Sequence, residues 1–172
     1  MNELNQKVYD LAKKYDACTP ALMVIPSLTV EGMLNLFMDK IDYSFCADFL
    51  NADFLKENAS KAQLNDAGIY VDDHGIVVID PIKFVAIGSS SGCVMCSEFS
   101  ANQLFVKDKA VIAIDAVDSS FTVIDCFAHS QLNITAKDNA NVYISVYGQS
   151  QVDYESYGNA KVKVVYKYTD KY

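Results

Sequence analysis

The chain contains no arginine: its fourteen basic side chains are all lysines, set against twenty-two acidic ones, for a net charge of −8. Nucleic-acid binders rely on basic faces and on the guanidinium fork, so no nucleic-acid partner is expected. No apolar run approaches twenty residues, and the first residues carry Lys7, Lys13 and Lys14 in a helical pattern instead of an apolar core. Neither a membrane span nor a secretion signal is read, and a cytoplasmic location is expected by default. Asn58-Ala-Ser60 and Asn133-Ile-Thr135 match the glycosylation pattern, which has no meaning without export.

Metal-binding and nucleophilic residues are also scarce. Of five cysteines only Cys93 and Cys96 are close, and the histidines are His74 and His129. A structural zinc site wants a second pair or histidines nearby. Residues three apart on a strand face opposite ways, so the two thiols are expected to diverge as small buried fillers. Gly88-Ser-Ser-Ser-Gly92 lacks the Lys-Ser/Thr ending and following helix of a phosphate loop and reads as a corner. The Gly-Gly-x-Gly-x-Asp corner that binds calcium in short-repeat β-rolls is absent. Neither histidine has an obvious nucleophile beside it. No metal, cofactor or catalytic residue is expected.

What the chain does have is a period of ten. The period runs from about residue 81, and from Ala101 the tens read ANQLFVKDKA, VIAIDAVDSS, FTVIDCFAHS, QLNITAKDNA, NVYISVYGQS, QVDYESYGNA, KVKVVYKYTD. The fourth place is always apolar: Phe84, Val94, Leu104, Ile114, Ile124, Ile134, Ile144, Tyr154, Val164. The second is mostly apolar (Ile82, Ile112, Leu132, Val142), the sixth usually small (Ala86, Cys96, Ala116, Cys126), the eighth often Gly or Asp, the tenth mostly Ser or Ala. Alternation at period two, broken by a turn former every ten residues, describes short strands joined by tight corners. Ten residues cannot encircle a packed core, whereas two tens form a flattened two-sheet coil. An antiparallel sandwich would want Asn-Gly or Asp-Gly hairpins, and the repeat half has neither. The expected fold is α+β: an N-terminal α-helical cap over residues 1–68, then a β-solenoid over residues 69–172. The solenoid is a flattened β-roll or β-helix with about twenty residues per coil and coils stacked ~4.8 Å apart.

In the cap, Leu4, Val8, Leu11, Ala12 and Tyr15 share a helical face, and Val30, Met33, Leu34, Phe37, Met38 and Ile41 form the clearest amphipathic stripe. Thr19-Pro20 reads as cap and first turn of a short helix stopped by Pro26. Ser60 to Gln63 is a capping box for a last helix ending at Gly68. Ile69 to Ile79, with Asp72-Asp73-His74-Gly75 as its turn, suggests a hairpin leading into the solenoid. The helices are expected to cover the solenoid's open end. At the far end Lys161, Lys163, Lys167 and Lys171 load the last strand with charge, which discourages edge pairing.

With twenty residues per coil, the third, fifth and seventh places of alternate tens are expected to face outward on one sheet. On one sheet this brings together Phe105, Val123, Phe127, Tyr143 and Tyr147, an aromatic patch. The other sheet, with Ala113, Asp115, Asn133, Thr135, Asp153 and Glu155, is mostly polar. Exposed apolar patches mark contact surfaces. Three occupants are expected to compete: the chain's own helices, a second copy giving a two-fold dimer, or a sugar or foreign protein stacked on the rings. Asp153 and Glu155, two apart on one strand face, lie where a polysaccharide-cleaving β-helix enzyme would place an acid and a base. Solvated strand charges are the better reading of that pair.

The rows NITAKDNANVYISVYGQSQVDYESYGNAKV resemble the short-repeat tracts, of the form A-x-V-x-A-Y-G-N-A, of β-solenoid proteins of bacterial, phage or mobile-element origin. Asp16 to Leu22 is similar to helical segments that precede such tracts. Bactofilin-like polymer-forming proteins are a more distant likeness. The resemblance implies architecture and no activity. The expected function is a non-enzymatic structural or protein-interaction module, self-associating through the aromatic face. A carbohydrate-binding module on that face comes second and a glycan-cleaving β-helix enzyme third.

Overall fold

The computed structural model describes residues 2–170 and 172. The chain divides between Ala67 and Gly68 into two compact units.

The first unit is helical: α1 (Glu3–Lys14), α2 (Thr19–Val24), a 3-10 turn (Ile25–Ser27), α3 (Val30–Asp39), α4 (Ile41–Cys46), α5 (Ala52–Asn58) and α6 (Lys61–Asp66). Asn2, Thr29, Asn51 and Ser60 cap α1, α3, α5 and α6 by accepting backbone N–H groups. Gln63 completes the capping box at Ser60. At α2 the reading shifts by one residue: Cys18 is the cap without a side-chain bond, Thr19 begins the helix, and Pro20 sits in its first turn. The two stripes turn inward at Val8, Ala12, Met33, Leu34, Phe37, Met38 and Ile41, which are buried, whereas Tyr15, at the C-cap of α1, is 39% exposed. Phe37 stacks on Phe49 at 4.9 Å. Helices α4 and α5, six and seven residues long, are too short to show a periodic stripe in the sequence.

The second unit is a β-solenoid of parallel strands. Its elements are β1 (Ile69–Val71), β2 (His74–Ile79), β3 (Lys83–Ile87), β4 (Ser91–Cys96), β5 (Ala101–Val106), β6 (Val111–Ala116), β7 (Phe121–Cys126), β8 (Gln131–Ala136), β9 (Asn141–Val146), β10 (Gln151–Ser156) and β11 (Lys161–Tyr166). Odd strands form one six-stranded sheet, here the first sheet, and even strands form a second, five-stranded one. From β3 and β4 onward each residue pairs with the one twenty further on, so Leu104, Ile124 and Ile144 lie in one column.

The first coil is shorter, and there the reading needs correction. Ile69 pairs with Val85 and Ile76 with Gly92, each only sixteen residues on. β1 and β2 therefore do not form a hairpin. They belong to different sheets, and Asp72 to Asp73 is a coil corner with Asp72 left-handed at φ 49°. Ile82, read as an inward second place, is 81% exposed because Pro81-Ile82 belongs to the next corner. Gly92 tolerates the close approach of β2, since a Cβ there would lie 2.3 Å from the Ile76 carbonyl oxygen.

Every later corner repeats one conformation. The eighth place is left-handed at Gly88, Glu98, Asp108, Asp118, Ala128, Asp138, Gly148, Gly158 and Tyr168, with φ between 53° and 72°. The ninth N–H then donates to the eighth carbonyl of the preceding coil, as from Asn139 to Asp118 at 2.7 Å. Carboxylates extend the ladder: Asp108, Asp118 and Asp138 accept the N–H groups of Gly88, Glu98 and Asp118 at 3.1, 3.0 and 3.3 Å. Asp is suited to this place because it tolerates the left-handed region and its oxygen reaches a neighbouring backbone donor.

Between the sheets, Phe84, Leu104, Ile124 and Ile144 face Val94, Ile114 and Ile134 in one apolar core. Each such aliphatic side chain, fully removed from water, contributes about 1.5–3 kcal/mol. The fourth-place rule lapses in the last coil, where Tyr154 is 50% exposed and Val164 half-buried. Strands β10 and β11 stand at the edges of their sheets, so nothing in either sheet closes over them. Lys161 and Lys163 lie on β11 and Lys167 just past it, while Lys171 falls outside the described residues. Among the described residues no helix is long and apolar enough to cross a membrane.

Candidate functional site

The five aromatic-patch residues come together on the first sheet, though not as an open surface. Val123 pairs with Tyr143 on β7 and β9. Phe105, Phe127 and Tyr147 are buried, at 4%, 4% and 7% exposure, and Val123 and Tyr143 are half-buried. The expectation of an exposed aromatic face is therefore corrected. One reason is local: the outward places of these strands are the first, third and fifth, whereas the seventh lies at the corner. There Phe127 and Tyr147 stack at 4.7 Å with 17° between their planes, each ring shielding the other. The Tyr143 ring carries the Lys163 ammonium 5.1 Å from its centroid.

The open apolar surface lies instead on the second sheet, read from the sequence as the polar one. Its third-place column runs Val77, Cys93, Ala113, Asn133, Asp153, and its fifth-place column Ile79, Met95, Asp115, Thr135, Glu155. Both columns pass from apolar in the early coils to acidic in the last. Val77 is 72% exposed, Ile79 62% and Met95 44%, with Val111 beside them at the first place of β6 and Ala113 also exposed. Adjacent members of a column sit ~4.8 Å apart, so Val77, Cys93 and Ala113 together with Ile79 and Met95 form one continuous strip, and Val111 flanks it two residues from Ala113 on β6. The sequence reading missed this strip because the sixteen-residue first coil throws β2 out of the ten-residue frame. Val77 and Ile79 therefore read as part of a hairpin. The signal was present in Val77, Ile79, Cys93 and Met95, alternating two apart on two successive strands.

The remaining motifs separate as their geometry dictates. Cys93 points outward and is exposed, which corrects its reading as a buried filler, while Cys96 points inward and is buried. Burial pushes the Cys96 thiol up to about 11 and the Cys126 thiol up to about 12. His74 is exposed and its Nδ1 lies 2.9 Å from the Ser91 hydroxyl. His129 is exposed at a corner. Among the described residues no three or more His, Cys, Asp or Glu side chains group so as to hold a metal ion. Asp153 and Glu155 do project from the same face of β10, and the Tyr157 hydroxyl donates to Glu155 Oε2, which pushes that phenol up. With Asn133, Ile134, Thr135 and Tyr154 they line an open depression of about 370 Å³.

Comparison of the chain with protein-family models, with curated proteins and with solved structures returns no match.

Proposed function

We propose that the chain is a non-enzymatic structural or protein-interaction module that receives a protein partner on the outer face of its second sheet. The observation that carries this reading is the strip of Val77, Ile79, Met95 and Val111, large apolar side chains between 37% and 72% exposed on one rigid sheet. Isolated exposed apolar residues are ordinary, but a continuous strip of them usually marks a contact surface. Asp115, Asp153 and Glu155 continue the same columns. The fitting partner therefore presents an apolar centre flanked by lysine or arginine.

The experiment is affinity capture with the wild-type chain and with the double variant Val77→Asp, Ile79→Asp. Both positions face solvent, so the variant keeps its fold, checked by circular dichroism. A protein held by the wild type at low salt, weakened by added salt and lost from the variant supports the reading. An identical set of captured proteins from both chains overturns it.

A further inference from the structure

The last coil leaves its inner side chains more open than the coils before it. Val152, Val162 and Val164 are half-buried, and Tyr154 and Tyr166 are 50% and 54% exposed, at places that are closed in the coils before them. β10 and β11 are edge strands of their two sheets, each hydrogen-bonded to one neighbour only. A pair of edges with an open core between them is a template for further strands.

The charges on this coil specify what fits. β10 carries Asp153 and Glu155 on its outer face, and β11 carries Lys161 and Lys163 on its own, with Lys167 following, all exposed. All sheet pairing is parallel and successive strands alternate between sheets, so β10 and β11 run in opposite directions. Two copies placed end to end are then related by one of two kinds of two-fold axis. An axis perpendicular to the strands lays β10 on β10 and β11 on β11, setting carboxylates against carboxylates and ammoniums against ammoniums. An axis parallel to the strands lays β10 of each copy antiparallel on β11 of the other, so acidic and basic side chains meet on both outer faces. Like charges placed opposite each other in a sheet are destabilising, and opposite charges are favourable.

We propose that this end of the solenoid docks a second copy of the chain, tail to tail, through two antiparallel β10–β11 pairings. The sheets become continuous across the two copies, and Val152 and Tyr154 of each close over Val162 and Val164 of the other. The lysines of β11 thus act as a selector: they repel a second β11 and attract β10. Head-to-tail stacking fits less well, because the three-residue β1 and the sixteen-residue first coil match neither the six-residue β11 nor the twenty-residue last coil. The contact is isologous and closes at two copies. It shares Asp153 and Glu155 with the acidic end of the second-sheet face, but it does not use the apolar strip and does not rest on that strip's function.

Sedimentation equilibrium of the 172-residue chain over a range of concentrations tests this, at about 50 mM and about 500 mM salt. The expected result is a reversible rise to twice the monomer mass, weaker at the higher salt. Lys161→Glu with Lys163→Glu weakens the association about tenfold or more, since two acidic edges then meet on each side. Adding Asp153→Lys and Glu155→Lys to that variant restores it, because the signs are exchanged and not lost. A wild type that stays monomeric throughout, a charge-swapped variant that fails to regain association, or growth beyond two copies into filaments would each overturn the proposal.

Discussion

The Asp118 carboxylate accepts the backbone N–H of Glu98, one coil earlier, at 3.0 Å, while Asp118's own N–H donates to Asp138 one coil later at 3.3 Å. A single residue type at a single place thus ties three successive corners together, from a left-handed backbone at φ 57°.

Asp118→Ala removes the acceptor and puts a Cβ without compensation into the left-handed region. The expected cost is about 1–3 kcal/mol of unfolding free energy. Asp118→Gly loses the same bond but relieves the backbone, so it costs less than the alanine variant. Urea unfolding followed by circular dichroism ranks the three chains. An alanine variant more stable than the glycine one would show that the corner is not held in this way.

Gly92→Ala places a methyl 2.3 Å from the Ile76 carbonyl oxygen and 2.5 Å from the Ile76 Cβ. Backbone cannot swing aside as the tip of a flexible side chain can, so β2 must move away from β4. The expected loss is about 2–4 kcal/mol. Gly75→Ala meets nothing within 4 Å and carries only its own backbone strain at φ 71°. Thermal unfolding should show the Gly92 variant melting well below the Gly75 one, and equal midpoints would contradict the packing.

The two inward thiols carry a pH dependence. Burial raises Cys96 to about 11 and Cys126 to about 12, from an ordinary value of 9.0. The fold therefore holds these protons more tightly than the unfolded chain does. Their contribution is fully present below pH ~9 and is lost as pH rises through the folded values, because the unfolded state ionises first. Alkylation at pH 8 should modify the exposed Cys18 and Cys93 quickly and leave Cys96 and Cys126 intact until the chain unfolds. Cys126→Ala should flatten the fall in melting temperature between pH 9 and 11 relative to the wild type. Rapid labelling of all the thiols in the folded chain would show that the core is open.

The repeat made the solenoid legible because its causes are local. A residue's place in the ten sets whether it lies on a strand or at a corner, and strand alternation sets which side it faces. Ile114, Ile124 and Ile134 could be assigned to the core by that rule alone, and they lie there. The rule failed where the frame slipped, at Ile76 to Ile82, since sixteen residues suffice for the smaller first coil. It failed again at Phe127 and Tyr147, where the corner, and not the strand, orients the ring.

The amino-acid sequence by itself determined the period, the inward columns and the left-handed corners, because each follows from backbone sterics and neighbouring side chains. Only the tertiary structure decided which outward side chains meet water. Facing outward is a property of the strand, whereas exposure depends on what else packs there. Phe105 is buried and Met95 half-open although both stand at the fifth place of a β-strand of the same repeat. The last coil makes the same point in reverse: Tyr154 occupies the same inward place as Ile134, and it remains half in solvent because β10 is the edge of its sheet.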